Sequence, residues 1–155
     1  MRFSRRALLK TAAIVPLAVS SLGQRMARAQ GNAPAPAATG LPPILFVHGN
    51  GDHAALWMTT LWRMESNGVP RERMAALNFT NPLARTDDST PQPMRSSTED
   101  QRNELGEAVA ALKQRTGAAQ IALVGNSRGG YAIRNFIKHG GGGDVSHAVL
   151  CGVPN

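Results

Sequence analysis

A serine held between two glycines is the feature of this sequence with the clearest chemical potential. Residues 125–129 read Gly-Asn-Ser-Arg-Gly, so that Ser127 stands two residues from both Gly125 and Gly129. A serine hydroxyl is a poor nucleophile at neutral pH, and it needs a base and hydrogen-bond donors for the negative charge that develops on an attacked carbonyl. The pattern predicts an acyl-transfer site where it joins a buried strand to a helix.

The residues on either side of this motif predict such a junction. Gln120–Val124, apolar after its first residue, is typical of a strand, and Tyr131–His139 carries apolar residues at helical spacing. A strand, Gly-x-Ser-x-Gly and a helix together form a nucleophile elbow. We therefore expect Ser127 to be the nucleophile, and the backbone amide of Arg128 to donate to the substrate oxygen. The alternative is a turn with a structural role only.

A second glycine-rich loop offers another donor. Ile44–Val47 is a continuous apolar run that predicts a strand buried on both faces, and residues 48–52 after it read His-Gly-Asn-Gly-Asp. An oxyanion hole of this type takes its second amide from the loop after an early strand. We assign that donor to the backbone amide of Asn50, with Gly49 and Gly51 shaping the loop.

The remaining pattern predicts alternating strands and helices. A helix through Trp57, Leu61 and Met64 is predicted to end at Asn67-Gly68, and a strand follows at Met74–Phe79. Thr80–Ser96 is a loop without periodicity. A second helix is predicted to begin with a Thr98–Gln101 capping box and to end at Gly117, and a strand follows at Val145–Cys151. This order predicts an α/β fold with a parallel sheet and flanking helices. The carboxyl ends of its strands meet at one edge, where both glycine-rich loops then lie. The long loop either lines an acyl pocket or is a solvated connector.

Three segments together resemble a known family. They are Ile44–Gly49, Leu123–Gly130 and Val149–Pro154, and they are similar to bacterial lipases of the α/β-hydrolase superfamily, especially the small secreted class 2 lipases and esterases. The resemblance implies an α/β-hydrolase fold and a carboxylic ester hydrolase that forms an acyl-enzyme on Ser127. It implies a small-molecule or lipid ester as substrate.

Two residues of the elbow depart from the family pattern. Many relatives have histidine before the nucleophile, where this chain has Asn126, and a small or apolar residue after it, where this chain has Arg128. A guanidinium beside the nucleophile favours anionic or polar substrates, which is a hypothesis about specificity.

The resemblance also implies an acid and a histidine after the nucleophile. Only 28 residues follow Ser127. His139 lies about 18 Å along the predicted helix, His147 and Asp144 are expected near the opposite sheet edge, and His53 precedes the elbow. We expect neither triad partner within this chain, which predicts an α/β-hydrolase truncated after the strand that follows the nucleophile helix. The alternative function is a non-catalytic, hydrolase-like binding protein or an inactive fragment.

The amino terminus predicts export. Residues 1–29 combine a basic start containing Arg5-Arg6, an uncharged stretch too short to span a bilayer, and small residues at Ala27 and Ala29 for cleavage. The pattern is typical of a twin-arginine signal, with an ordinary secretory signal as the alternative. Residues 30–40 form a Pro/Ala-rich linker, and 41–155 the hydrolase domain. We expect a periplasmic or extracellular protein that meets the export machinery and contacts membranes only transiently.

Charge and metal-ligand patterns narrow the range of partners. The formal net charge of +7 arises mainly from the signal, because residues 30–155 hold 11 basic and 10 acidic residues. This balance gives no support to a nucleic-acid partner. The sequence shows neither a metal-ligand cluster nor a phosphate loop, so no cofactor is expected. Cys151 is the only cysteine and cannot form a disulfide within the chain; it is expected to be a buried, small apolar residue.

Overall fold

A computed structural model describes residues 40–153 of the protein. The predicted export signal, and all of the predicted linker except its last residue, lie outside this range. Within it, the strands are β1 Ile44–Val47, β2 Met74–Leu77, β3 Leu83–Ala84, β4 Arg95–Ser96, β5 Ile121–Asn126 and β6 Val145–Cys151. The helices are α1 Met58–Ser66, α2 Thr98–Thr116 and α3 Arg128–Lys138, with short 3₁₀ helices at Ala54–Trp57, Arg71–Arg73 and Gly141–Asp144.

The main sheet has the order β2-β1-β5-β6, and all of its strand pairs are parallel. Alternate residues of β1 face opposite sides of it. Leu45 and Val47 pack into a cluster with α2 and α3, while Phe46 packs with residues that precede and form α1. The predicted α/β architecture, with helices on both faces of a parallel sheet, is therefore confirmed.

The second predicted strand is shorter than the sequence pattern indicates. It ends at Leu77 rather than Phe79. Phe79 instead turns inward, where its ring meets the His48 imidazole edge-on at 5.1 Å and its amide donates to His48 Nε2 at 3.3 Å. An apolar residue can thus extend a hydrophobic run in the sequence without pairing in the sheet, because its side chain packs beneath a neighbouring loop.

The capping box of α2 lies one residue earlier than predicted. Ser97 is the N-cap: its hydroxyl accepts from the Asp100 amide at 3.0 Å, and its own amide donates to the Asp100 carboxylate at 2.8 Å. The predicted Thr98–Gln101 box is therefore wrong, because an aspartate fills the third position as well as glutamine does. Gln101 is freed to point inward and is only 3% exposed.

This box makes the stability of α2 dependent on pH. Hydrogen bonds from the Ser97 amide and hydroxyl, with a smaller effect of Arg85, hold the pKa of Asp100 below its ordinary value of 3.8. Because the folded-state pKa is the lower one, the stabilisation is complete above the ordinary value and is lost as the pH falls through the folded-state pKa. We expect Asp100→Asn to lower the free energy of unfolding by about 0.3–1 kcal/mol at neutral pH and by much less in acid.

Urea unfolding at several pH values measures this difference. Glu107→Gln, at an exposed position of the same helix, is the matched control and should show no such dependence. A deficit of Asp100→Asn that stays constant from neutral pH into acid would contradict the assignment.

Thr80–Ser96 is folded, although its sequence shows no periodicity. β3 and β4 within it pair in parallel, and Arg95 donates to the Ala84 carbonyl at 2.7 Å. The Arg85 amide donates to the Ser96 carbonyl at 3.0 Å. Strands of two residues are too short to produce an alternating pattern, which is why the sequence predicts only a loop here.

Cys151 is exposed, and the expectation that it would be buried is wrong. It ends β6, which is an edge strand of the described sheet and pairs there with β5 alone. No described strand covers the outer side of β6, and Val149 in its middle is 51% exposed. An apolar run at a sheet edge therefore does not imply burial.

The helices within residues 40–153 include none with the length and apolar character of a membrane span.

Candidate active site

Ser127 forms the turn between strand and helix by itself. β5 ends at Asn126, α3 begins at Arg128, and Ser127 between them adopts φ 49° and ψ −121°. A positive φ at a residue with a side chain costs on the order of 1–3 kcal/mol and persists where its surroundings enforce it. Here the Ser127 amide donates to the Cys151 carbonyl at 2.8 Å, and its carbonyl accepts from Gly130 at 2.9 Å. Ser127 is exposed, as a nucleophile must be.

The two motif glycines allow α3 to begin directly against the sheet. A Cβ on Gly129 would stand 2.5 Å from the Val47 carbonyl oxygen and 2.6 Å from that of His48. A Cβ on Gly125 would stand 2.8 Å from the Gly130 amide nitrogen. These partners are backbone atoms that cannot rotate away, so both positions require glycine for close approach.

The predicted oxyanion loop lies against Ser127. A Cβ on Gly49 would stand 3.2 Å from the Ser127 Cβ and equally close to the side-chain oxygen of Asn126. Gly51 has φ 71°, a left-handed conformation that favours glycine. The structure thus brings together the two glycine-rich segments that the sequence assigns to one site, with Asn50 in the loop and Arg128 as the first residue of α3. A first helical residue has no intrahelical acceptor for its amide.

His48 shapes this loop from within the core. Its side chain is fully buried. Its Nδ1 pairs with the Gly49 carbonyl at 2.8 Å, and its Nε2 accepts from the Phe79 amide at 3.3 Å. A carbonyl can only accept, so these partners assign the proton to Nδ1 and make the ring a neutral imidazole. Backbone groups therefore occupy both ring nitrogens, which gives His48 a structural role in shaping the loop.

Comparison of the sequence with known families agrees with this geometry. The family model described as lipase (class 2) matches residues 42–153. The chain belongs to the class 2 lipase family. No curated protein sequence matches it.

Solved structures show that this lipase-family chain has the α/β-hydrolase fold, as predicted. A mature lipase of Bacillus licheniformis is 21% identical with a TM-score of 0.56, over 77% of this chain and 43% of its own. An esterase of Rhodococcus is 20% identical with a TM-score of 0.53, over 73% of this chain and 38% of its own. An extracellular α/β-hydrolase of Paenibacillus is 16% identical with a TM-score of 0.51, over 71% and 40%. At these identities the likeness shows the α/β-hydrolase fold alone, and the chain spans less than half the length of each structure.

The other three histidines of this class 2 lipase chain lie in other surroundings. His53 Nδ1 accepts from the Ala55 amide at 3.3 Å and caps a 3₁₀ turn. His139 Nδ1 pairs with the Asn135 carbonyl at 2.8 Å at the end of α3. His147 pairs with Ala122 in the sheet. It lies four residues before the carboxyl end of β6 at Cys151, or about 13 Å at 3.3 Å per residue. Hydrogen bonding within the described residues thus does not join any of the three to Ser127.

Asp144 is engaged far from the site as well. Its carboxylate forms an ion pair with Lys113 of α2. Acidic, histidine and cysteine side chains within residues 40–153 also form no group of three or more that could hold a metal ion.

The side chain of Arg128 points toward α2. Its Nε donates to Gln101 Oε1 at 3.1 Å. Arg128 and Gln101 belong to the wall of a cleft of about 390 Å³, together with Thr98, Tyr131, Arg134, Asn135 and Lys138. The cleft therefore begins next to Ser127, at Arg128, and carries cationic side chains along α3.

Sequence reasoning missed the contribution of Gln101 and Ser96. Gln101 Nε2 donates to Ser96 Oγ at 2.9 Å, and Ser96 is 1% exposed. The available signal was a polar residue at the first buried position of α2, four residues before Leu105. The assignment of Gln101 to the helix cap concealed this signal.

Proposed function

We propose that this protein is an exported serine hydrolase of the lipase and esterase type, which cleaves carboxylic esters through an acyl-enzyme on Ser127. The observation that carries the proposal is the exposed Ser127 at φ 49°, with the loop at Gly49 lying against its Cβ. Membership in the class 2 lipase family supports the ester bond as the one attacked. Export rests on the sequence of residues 1–29.

In the proposed reaction Ser127 Oγ attacks the ester carbonyl as its proton passes to the general base that the family resemblance implies, and that base then gives the proton to the leaving alcohol. The carbonyl electron pair moves onto oxygen, where the amides of Asn50 and Arg128 donate hydrogen bonds. Such donors are each worth about 2.7–4 kcal/mol in the transition state. The ester bond then breaks, and the alcohol leaves with a proton. Water attacks the acyl carbon in the same way, which releases the acid and restores the serine.

The proposed substrates are small-molecule or lipid esters, with membrane contact limited to brief encounters at a lipid surface. The export machinery is the proposed partner of the signal. The segment at 80–96 is a candidate wall for the acyl group, because it is hydrogen-bonded to the loop that holds Asn50.

A fluorophosphonate probe tests the proposal, because it phosphonylates only an activated serine. We expect the full-length protein to be labelled, with the modification mapped to Ser127 by peptide mass spectrometry. Ser127→Ala should abolish labelling, whereas Ser66→Ala, at an exposed site in α1, should leave it unchanged. A folded protein that binds esters but is not labelled would instead be a non-catalytic, hydrolase-like binding protein.

Arg128 is expected to influence which ester is preferred. Its guanidinium lies in the cationic cleft beside the nucleophile, so an acidic ester should gain an ion pair that a neutral ester lacks. We expect Arg128→Met to lower the ratio of kcat/KM for an acidic over a neutral ester about fivefold, which corresponds to an exposed ion pair of about 1 kcal/mol. The ratio cancels any loss common to both substrates.

Paired assays with the p-nitrophenyl monoester of glutaric acid and p-nitrophenyl pentanoate measure the ratio. Arg63→Met, at an exposed position of α1, controls for the change in net charge. An unchanged ratio in Arg128→Met would show that Arg128 does not determine the preference for acidic esters.

A further inference from the structure

We propose that Gln101 and Ser96 are positioning residues, which hold the two oxyanion donors in register with each other. This inference rests on the proposed function. The donors come from segments far apart in sequence, at Asn50 and Arg128, and the transition state requires both at hydrogen-bond distance from one oxygen atom. A chain of hydrogen bonds through Gln101 and Ser96 links the two segments independently of the sheet.

The first link joins the elbow to α2. Arg128 Nε donates to Gln101 Oε1 at 3.1 Å, and Gln101 is 3% exposed. Arg128 is the residue whose backbone amide is the proposed donor, so fixing its side chain also restrains the orientation of the first residue of α3. The restraint comes from a buried partner on a 19-residue helix and not from a flexible surface group.

The second link runs from α2 to the folded segment at 80–96. Gln101 Nε2 donates to Ser96 Oγ at 2.9 Å. The Ser96 hydroxyl has one proton to donate, and the Asn81 carbonyl accepts it at 2.8 Å. Ser96 thus connects α2 to the stretch that begins at Asn81.

The third link returns to the oxyanion loop. The Ala84 amide donates to Asn50 Oδ1 at 2.7 Å, and the Gly51 amide donates to the Pro82 carbonyl at 3.0 Å. The segment that Ser96 anchors therefore holds the loop at two points, the Asn50 side chain and the Gly51 amide. A continuous path of hydrogen bonds and short backbone stretches connects the two donors.

The position of Gln101 indicates a role beyond packing. The other buried residues of α2 are Leu105, Val109 and Leu112, and an apolar side chain at 101 would continue their stripe. A buried amide is favourable only when its groups are paired, and a buried group left unpaired costs about 1–3 kcal/mol. Here the oxygen and the nitrogen of the amide are each paired, with partners that lead to the two donors. A network satisfied in this way fixes one geometry, which an apolar contact cannot do.

Replacement of Gln101 by methionine tests the inference, because methionine has a similar length and cannot hydrogen-bond in this way. A displacement of about 1 Å in a reacting group can cost 10²-fold in rate. We therefore expect Gln101→Met to lower kcat about 10- to 100-fold, with KM within about threefold of wild type. Affinity for a boronic acid, which forms a tetrahedral adduct on the serine, should fall by a factor similar to kcat. Gln114→Met, at an exposed position of the same helix, should change neither.

The double variant Ser96→Ala/Gln101→Met separates a shared path from two independent effects. The effects of residues that act through one path are not additive. The kcat of the double variant should therefore be no more than about twofold below that of the less active single variant. Ser96→Ala removes only a hydroxyl and carries the test alone if Gln101→Met does not fold.

Active-site titration of each variant gives the concentration of folded sites, so that kcat refers to those sites only. If kcat per titrated site in Gln101→Met and Ser96→Ala stays within twofold of wild type, the inference is overturned and the proposed function stands. A multiplicative loss in the double variant also overturns it. If the full-length wild-type protein has no Ser127-dependent ester hydrolysis, the proposed function fails, and this inference fails with it.

Discussion

Replacement of Ser127 by alanine should lower kcat/KM for ester hydrolysis by on the order of 10⁴–10⁶-fold in the full-length protein, since loss of the nucleophile removes the covalent route altogether. The hydroxyl is the group that the whole elbow presents, and its exposed position at φ 49° has no packing role to explain it. The measurement is steady-state hydrolysis of a p-nitrophenyl ester. A residual rate close to that of wild type would show that Ser127 is not the nucleophile.

A companion variant separates catalysis from strain at the same residue. Ser127→Gly should be as inactive as Ser127→Ala. It should nevertheless be more stable than wild type, because glycine adopts a positive φ without the strain of about 1–3 kcal/mol that a side chain incurs. Part of this gain is offset by the extra freedom of glycine in the unfolded chain. A higher free energy of unfolding for Ser127→Gly than for wild type would show that the elbow trades stability for the presentation of its hydroxyl.

The elements that sequence patterns located correctly have strong local signals. The predicted bounds of β1 and β6 agree with the structure, because each is a continuous apolar run next to turn residues. The end of α2 is likewise local, since Gly117 adopts a left-handed φ of 68°. The elbow combines a strand, a glycine motif and a helix within 18 residues, Ile121 to Lys138, so that the geometry around Ser127 follows from neighbouring residues. Signals of this kind do not depend on the rest of the fold.

The features that the sequence concealed depend on contacts between distant residues. Gln101 reads as a helix cap until the partner from 27 residues later is in place. Phe79 reads as strand until the buried ring of His48 is found beneath it. Cys151 reads as core because its run is apolar, although the location of β6 at a sheet edge decides its exposure. For the candidate site, the close approach of the two glycine-rich segments could therefore be predicted, but the hydrogen-bond network that joins them could not.

Gly129→Ala should strongly destabilise the fold. The added Cβ would stand 2.5 Å from the Val47 carbonyl oxygen and 2.6 Å from that of His48. Those oxygens belong to the end of the central strand β1 and to the loop fixed by buried His48, so neither can move without shifting the sheet or the oxyanion loop. We expect a loss at or above the upper end of the about 1–3 kcal/mol typical of overpacking.

Chemical unfolding of the full-length protein measures this loss, and Gly143→Ala is the matched control. A Cβ on Gly143 meets nothing within 4 Å, so the same addition of one methyl group should change the free energy of unfolding by less than about 0.5 kcal/mol. Where Gly129→Ala still folds, it should also lower kcat, because relief of the contact requires α3 to move away from β1 and to carry Ser127 and Arg128 with it. Equal stability of the two variants would mean that α3 does not begin against β1 and that no close approach of these elements positions Ser127.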